Sequence, residues 1–221
     1  MALVITVAQR KGGVGKTTLA ISLAGELDKR GRKVALIDSD TQRSASHWAE
    51  LGNLYFPVYQ IVLAKQTIAS WASHVRAIPA DCVVIDTAPN EREVAASIAL
   101  GDLILVPCSA SGLDLEATAR TLSIIQAVRD QRKGPLGVLL VPNRIDRRTL
   151  EGRQLIEELQ GFGELVAPAI GDRTAFVRAF STGQAIADFA PGEPADLEIR
   201  YLCDLVENVL SHQPKPKPAR R

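Results

Sequence analysis

Short apolar runs recur along the chain, each followed by polar residues and then by a stretch with helical spacing. Leu3–Ala8, Lys33–Asp38, Asp81–Asp86, Leu103–Cys108 and Leu136–Val141 are apolar with little alternation, the pattern of strands in a parallel sheet covered on both faces. Between them, residues 16–30 carry Leu19, Leu23 and Leu27 along one helical face, and Gly31 stops that helix. Residues 43–51 predict a short helix with Trp48, Tyr55–Val62 a short strand, and residues 64–77 a helix whose stripe is Ile68, Trp71 and Val75. Both tryptophans read as core filler. A long helix covers about 113–131. The last helix, about 194–210, turns Leu197, Tyr201, Leu202, Leu205, Val209 and Leu210 inward and is acidic outside. This succession predicts the α/β class, a mostly parallel twisted sheet with helices on both faces. Such sheets bind ligands beyond the carboxyl ends of their strands, so the chemistry belongs there.

The first strand runs directly into Lys11-Gly12-Gly13-Val14-Gly15-Lys16-Thr17-Thr18. The glycines let the backbone fold its N–H groups around an anion, and the helix that follows turns its positive end to the same point. Lys16 then meets β- and γ-phosphate oxygens, and Thr17 offers a hydroxyl to Mg²⁺, a cation that prefers oxygen ligands. The second strand ends in Asp38-Ser39-Asp40, a carboxylate pair suited to metal and water chemistry beside a triphosphate. An aspartate capping the next helix leaves the same pattern, and the two roles are compatible. The third ends in Asp86, which reads as the strand-end aspartate that holds Mg²⁺ through water in phosphate-loop NTPases.

Arg10 stands where the strict Walker A spacing has a glycine, and Lys11 precedes the glycines. With that second lysine the loop resembles the deviant Walker A box of the ParA/MinD family of ATPases. The resemblance runs from residue 3 to about residue 210 and is nearest to short plasmid-partition, ParF-like proteins. It implies that Asp40 positions the attacking water, with Asp38 nearer the Mg²⁺ shell, although Thr41 replaces the family's usual proline and alters the stiffness of that loop. Thr87-Ala88-Pro89-Asn90 resembles the family's switch loop. Asn143, in Asn143-Arg144-Ile145-Asp146, matches the asparagine that contacts adenine; an ordinary loop asparagine is the alternative. The implied cycle uses ATP and Mg²⁺. ATP closes a sandwich homodimer, Lys11 reaches the partner's nucleotide, the dimer holds non-specific DNA, and a ParB-like or cargo-adaptor activator triggers hydrolysis. The cargo of such a cycle is a plasmid, a chromosome or a protein complex.

Composition adds limits. With 221 residues, 46% hydrophobic and 23% charged, the chain suits one large core, read as a single ATPase domain over 1–211 and a flexible basic tail over 212–221. That tail serves DNA binding or simply solubility. A net charge of +1 leaves nucleic-acid binding to a local patch, for which Arg147, Arg148, Arg173 and Arg178 are the candidates. Arg173 has a second possible duty, stabilising the ATP-bound dimer. Cys82, Cys108 and Cys203 show no paired spacing and read as reduced thiols; with neither a signal peptide nor a spanning run, this predicts a cytoplasmic, nucleoid-associated protein without a membrane partner. A MinD-like membrane ATPase calls for a basic amphipathic C-terminal helix, which the acidic last helix does not supply. An iron–sulfur carrier lacks its cysteine pattern, and a tyrosine kinase its tyrosine-rich tail. A metabolic, ligase-type enzyme with a second substrate beside the γ-phosphate stays open.

Overall fold

The computed structural model describes residues 2–64 and 66–212. Its seven-stranded sheet has the order β3-β2-β4-β1-β5-β6-β7. The strands are β1 (Leu3–Val7), β2 (Val34–Asp38), β3 (Val58–Gln60), β4 (Cys82–Asp86), β5 (Leu103–Cys108), β6 (Gly137–Pro142) and β7 (Leu165–Val166). Every pairing is parallel, and the class is α/β as the apolar runs predict. The registers set Val7 beside Asp86, Asp86 beside Asp38 and Val7 beside Leu105, which brings the ends of the four inner strands to one edge.

Successive strand residues face opposite sides of a sheet, and both sides here are covered. Leu36, Val84, Leu103, Leu105, Leu139 and Val141 pack on one side. It is roofed by α1 (Lys16–Lys29), α2 (Ser44–Glu50), α7 (Thr174–Thr182), α8 (Ile186–Phe189) and α9 (Pro194–His212). Ile37, Val83, Ile85, Ile104, Val106, Val138 and Leu140 pack on the other. That side carries α3 (Ile68–Arg76), α4 (Glu91–Leu100), α5 (Gly112–Gln131) and α6 (Leu150–Gln160). Gly25 lets α1 meet α8 closely, since a Cβ there would lie 2.3 Å from the Ala185 Cβ. Arg30 ties α1 to α9 through Asp204 at 2.7 Å and Glu207 at 2.9 Å.

The structure shifts several expected elements. Helices α4 and α6, the short α8 and edge strand β7 add to the predicted set. The strand expected over Tyr55–Val62 shortens to Val58–Gln60, and its neighbour begins at Ile68, where the Thr67 side chain accepts from the Ser70 N–H and caps the helix. Ile68 is exposed, while Trp71 and Val75 are buried and the Trp71 indole donates to the Ile61 carbonyl. On α9 the inward stripe is Ile199, Leu202, Cys203 and Val206, spaced i, i+3, i+4, i+7, with Leu205, Val209 and Leu210 packed beside it as expected; of the expected set, Leu197 and Tyr201 face solvent. Packing against α1 takes Ile199 and leaves Leu197 and Tyr201 outside. That helix includes His212, the first residue of the expected tail, and the rest of that segment, residues 213–221, lies outside the described residues.

Candidate active site

The loop between β1 and α1 is built by its glycines. Gly13 (φ 78°) and Gly15 (φ 87°) occupy the left-handed region, and a Cβ on Gly15 would lie 2.5 Å from the Asn143 Nδ2. Gly15 also caps α1, which has no side-chain cap and no acidic residue in its first turn. Its first amides and the helix dipole are left for an anion. Lys16 is only 8% exposed, and burial holds its amine below the usual lysine range against the opposing pull of Asp86 and Asp40. Its Nζ donates to the Lys11 carbonyl at 2.9 Å, inside the loop. A buried cation at the uncapped start of a helix, lining a cavity of about 600 Å³, suits a polyanion.

The carboxylates meet that cavity from beneath. Thr17 Oγ1 donates to Asp86 Oδ2 at 2.6 Å, while the buried Oδ1 has no hydrogen-bond partner among the described residues. Burial pushes the Asp86 carboxyl up to about 7; the Thr17 hydrogen bond and Lys16 oppose this, and Asp38 and Asp40 add to it. A buried, unpaired oxygen beside a threonine hydroxyl and the phosphate cradle suits a hydrated Mg²⁺ ion. Asp38 is wholly buried, and both its oxygens are engaged. Oδ1 accepts from the Asp40 N–H at 3.1 Å, and Oδ2 from the Ser46 N–H at 2.8 Å and the Ser46 hydroxyl at 2.7 Å. Asp38 thus anchors the loop from behind, and half-buried Asp40 lines the cavity, one of its oxygens closing a turn with the Gln42 N–H at 2.9 Å.

Other expected residues are held in ways that linear spacing does not show. Lys11 forms an ion pair with the buried Asp114 of α5 and lies 3.3 Å from the Ser111 hydroxyl, so its ammonium points along its own chain. Asn143 Nδ2 donates to the Val14 carbonyl at 2.7 Å and braces the loop from below while lining the cavity. Gly12, Gly13, Gly15, Lys16, Thr17 and Thr18 also line it, whereas Val14 is buried beneath.

The arginines expected to form one patch have different surroundings. Arg173 is clamped to Glu198 of α9 at 2.7 and 2.9 Å, and the same carboxylate accepts the Gly171 N–H at 3.0 Å. Arg148 pairs with Asp146 at 2.7 Å. Arg147 and Arg178 are exposed and have no ion pair among the described residues.

Some lining groups escaped the sequence reading. Arg144 sits at φ 57°, donates to the Gly13 carbonyl at 3.2 Å and lies 3.6 Å from Asp172; its signal was a cation beside Asn143. Trp48, predicted as core filler, is buried and lines the cavity too, edge-on to Phe180 at 5.1 Å between centroids. With Phe176 and Val177 it forms an apolar wall facing the phosphate loop. Cys82, Cys108 and Cys203 are free and buried, with thiols pushed by burial up to about 12, 11 and 12, which leaves them inert.

Residues 5–186 match the profile of the CobQ/CobB/MinD/ParA nucleotide binding domain. The chain belongs to the MinD/ParA family. Among curated relatives it is 30% identical over 236 residues to the chromosome-partitioning ATPase Soj of Thermus thermophilus, covering 91% of this chain and 94% of Soj. It is 28% identical over 210 residues to maintenance of carboxysome distribution protein A of Halothiobacillus neapolitanus, covering 93% of this chain and 96% of that one. The fold is similar to MinD of Pyrococcus horikoshii complexed with Mg-ADP, at a TM-score of 0.78 and 16% identity over 98% of this chain and all of that one. As a MinD/ParA member the chain carries the family's deviant loop on the strand order just described. No helix among the described residues is long and apolar enough to cross a membrane.

Proposed function

We propose that this chain is a Mg²⁺-dependent ATPase of the partition and positioning type, whose residues 1–211 act as one domain. The supporting observation is that one cavity is lined by the glycine loop, Lys16, Thr17 and Asp40, with Asp86 buried directly behind Thr17 and one of its oxygens unpaired among the described residues. The loop amides and Lys16 bind the β- and γ-phosphates, and Asn143 keeps the loop in shape while its edge meets the base. Thr17 and Asp86 would hold the Mg²⁺ ion, with Asp38 behind them. Once bound, the ion neutralises charge on the phosphates. Asp40 orients the attacking water toward the γ-phosphate, and positioning of this kind supplies most of what phosphoryl transfer asks of a protein.

On this reading ATP closes a homodimer, and Lys11 exchanges Asp114 for the partner's nucleotide. Two chains together present twice the free arginine charge of one, which favours non-specific DNA because phosphate contacts add. A ParB-like or cargo-adaptor protein then releases the dimer by stimulating hydrolysis. Such a protein works in the cytoplasm at the nucleoid. The two curated relatives carry distribution or partition in their names, which supports this reading over a metabolic one. The test measures ATP turnover and retention on random-sequence DNA together. Slow basal turnover with ATP-dependent retention is expected; fast turnover that appears only with a small metabolite would replace the proposal by a ligase-type enzyme.

A further inference from the structure

The segment between β2 and α2 is closed into a ring by one side chain. Asp38 ends β2, and eight residues later Ser46, in the first turn of α2, gives it both its N–H at 2.8 Å and its hydroxyl at 2.7 Å. Asp38 also accepts the Asp40 N–H, and the Ser39 N–H bonds to the Asp86 carbonyl at 3.0 Å. Arg43 enters α2 in the left-handed region at φ 58°, a conformation uncommon for a residue with a side chain. A strained entry persists when its surroundings over-determine it, and the Asp38–Ser46 clasp does so here. Asp38 is wholly buried and Ser46 is 9% exposed, so water competes poorly for these bonds.

What the ring presents is Asp40. With both ends of the loop pinned, Asp40 lines the cavity beside Lys16 and Thr17. We infer that Ser46 is a positioning residue for hydrolysis: its hydroxyl fixes Asp38, and through the Asp38 carboxylate the Asp40 amide, at the setting from which Asp40 holds the attacking water. The inference rests on the proposed ATPase activity. Ser46 lies outside the lining of the cavity, so its removal acts on Asp40 and leaves the phosphate contacts alone. A misplacement of about 1 Å in a positioning group lowers turnover by up to roughly a hundredfold.

Ser46→Ala deletes the hydroxyl and keeps the N–H; Ser46→Thr restores a hydroxyl. In the full chain Ser46→Ala should lower kcat for ATP about tenfold, within the range for groups that orient a site from behind, leave the Kd for the non-hydrolysable analogue AMPPNP within twofold, and recover in Ser46→Thr. Amide hydrogen exchange at Asp40 and Ser46 should quicken in Ser46→Ala, with the β-strand amides unchanged. Unchanged kcat, or a rise in Kd that parallels the fall in kcat, would overturn the positioning role. Wild-type turnover and Asp40→Ala are measured alongside. If the wild type hydrolyses no ATP, the ATPase reading falls and this role for Ser46 falls with it. If the wild type turns over, Asp40→Ala does not and Ser46→Ala does at the full rate, only the clasp is wrong. Should Ser46→Ala unfold, kcat of Ser46→Thr equal to wild type with normal exchange still supports the hydroxyl, and a tenfold loss in that variant counts against it.

Discussion

The edge formed by β1, β2 and β4 and the outer segments after β6 and β7 treat charge in opposite ways. At the edge, Lys16, Asp38 and Asp86 are buried, and each has a neighbour that fixes its direction. Beyond β6, Arg147, Arg148 and Arg178 are exposed, and the half-buried Arg173 is clamped to α9. A buried charge has few stable arrangements, because it must find a partner or a ligand. An exposed arginine has many, and short-range competitors such as Asp146 and Glu198 decide which it takes. Residue type plus position is therefore strong evidence of role at the edge and weak evidence at the rim.

The sharpest way to break the contrast is Lys16→Ala. Loss of the buried ammonium under the phosphates should weaken ATP binding roughly a hundredfold or more, read by fluorescence of a labelled nucleotide. Binding within threefold of wild type would remove the cradle from the mechanism. Next comes Asp40→Ala, which should cut turnover by a similar factor yet keep ATP-dependent dimers on DNA, since the contacts of Lys16, Thr17 and Asp86 persist. Hydrolysis at the wild-type rate would leave Asp40 with only its turn to Gln42. Lys11→Ala tests whether its pairing with Asp114 is a resting position. Nucleotide affinity should stay within a few-fold of wild type while light scattering shows loss of the ATP dimer; a normal dimer would confine Lys11 to its own chain.

Smaller effects sharpen the rim. Arg178→Ala should flatten the logarithmic salt dependence of DNA retention by about one unit, because Arg178 is exposed and unpaired among the described residues. Arg173→Ala should leave that slope unchanged and lower stability to urea by about 1 kcal/mol at most, the scale of a partly exposed ion pair. If Arg173 changed the slope and Arg178 did not, the clamp to Glu198 would not describe the DNA-binding state.

Much of the fold was legible in the chain because buried parallel strands need unbroken apolar runs, and the glycine loop needs φ values that only glycine adopts freely. Lys16, Thr17 and Asp86 were readable for the same reason: each stands at a fixed step from a strand end, and local geometry carries it to the edge. The face of α9 was readable only in part: Leu202, Leu205, Val209 and Leu210 meet the core as expected, but Leu197 and Tyr201 are as apolar as Ile199, and only packing against α1 turns them outward. Tertiary structure alone decided that Asn143 reaches the Val14 carbonyl across 129 residues, that Lys11 meets Asp114, and that Arg173 is spent on Glu198. Those pairings depend on which loops the strand order sets side by side. A sequence displays spacing along the chain, whereas a hydrogen bond or an ion pair depends on distances of a few ångströms in space, set only when the sheet has assembled.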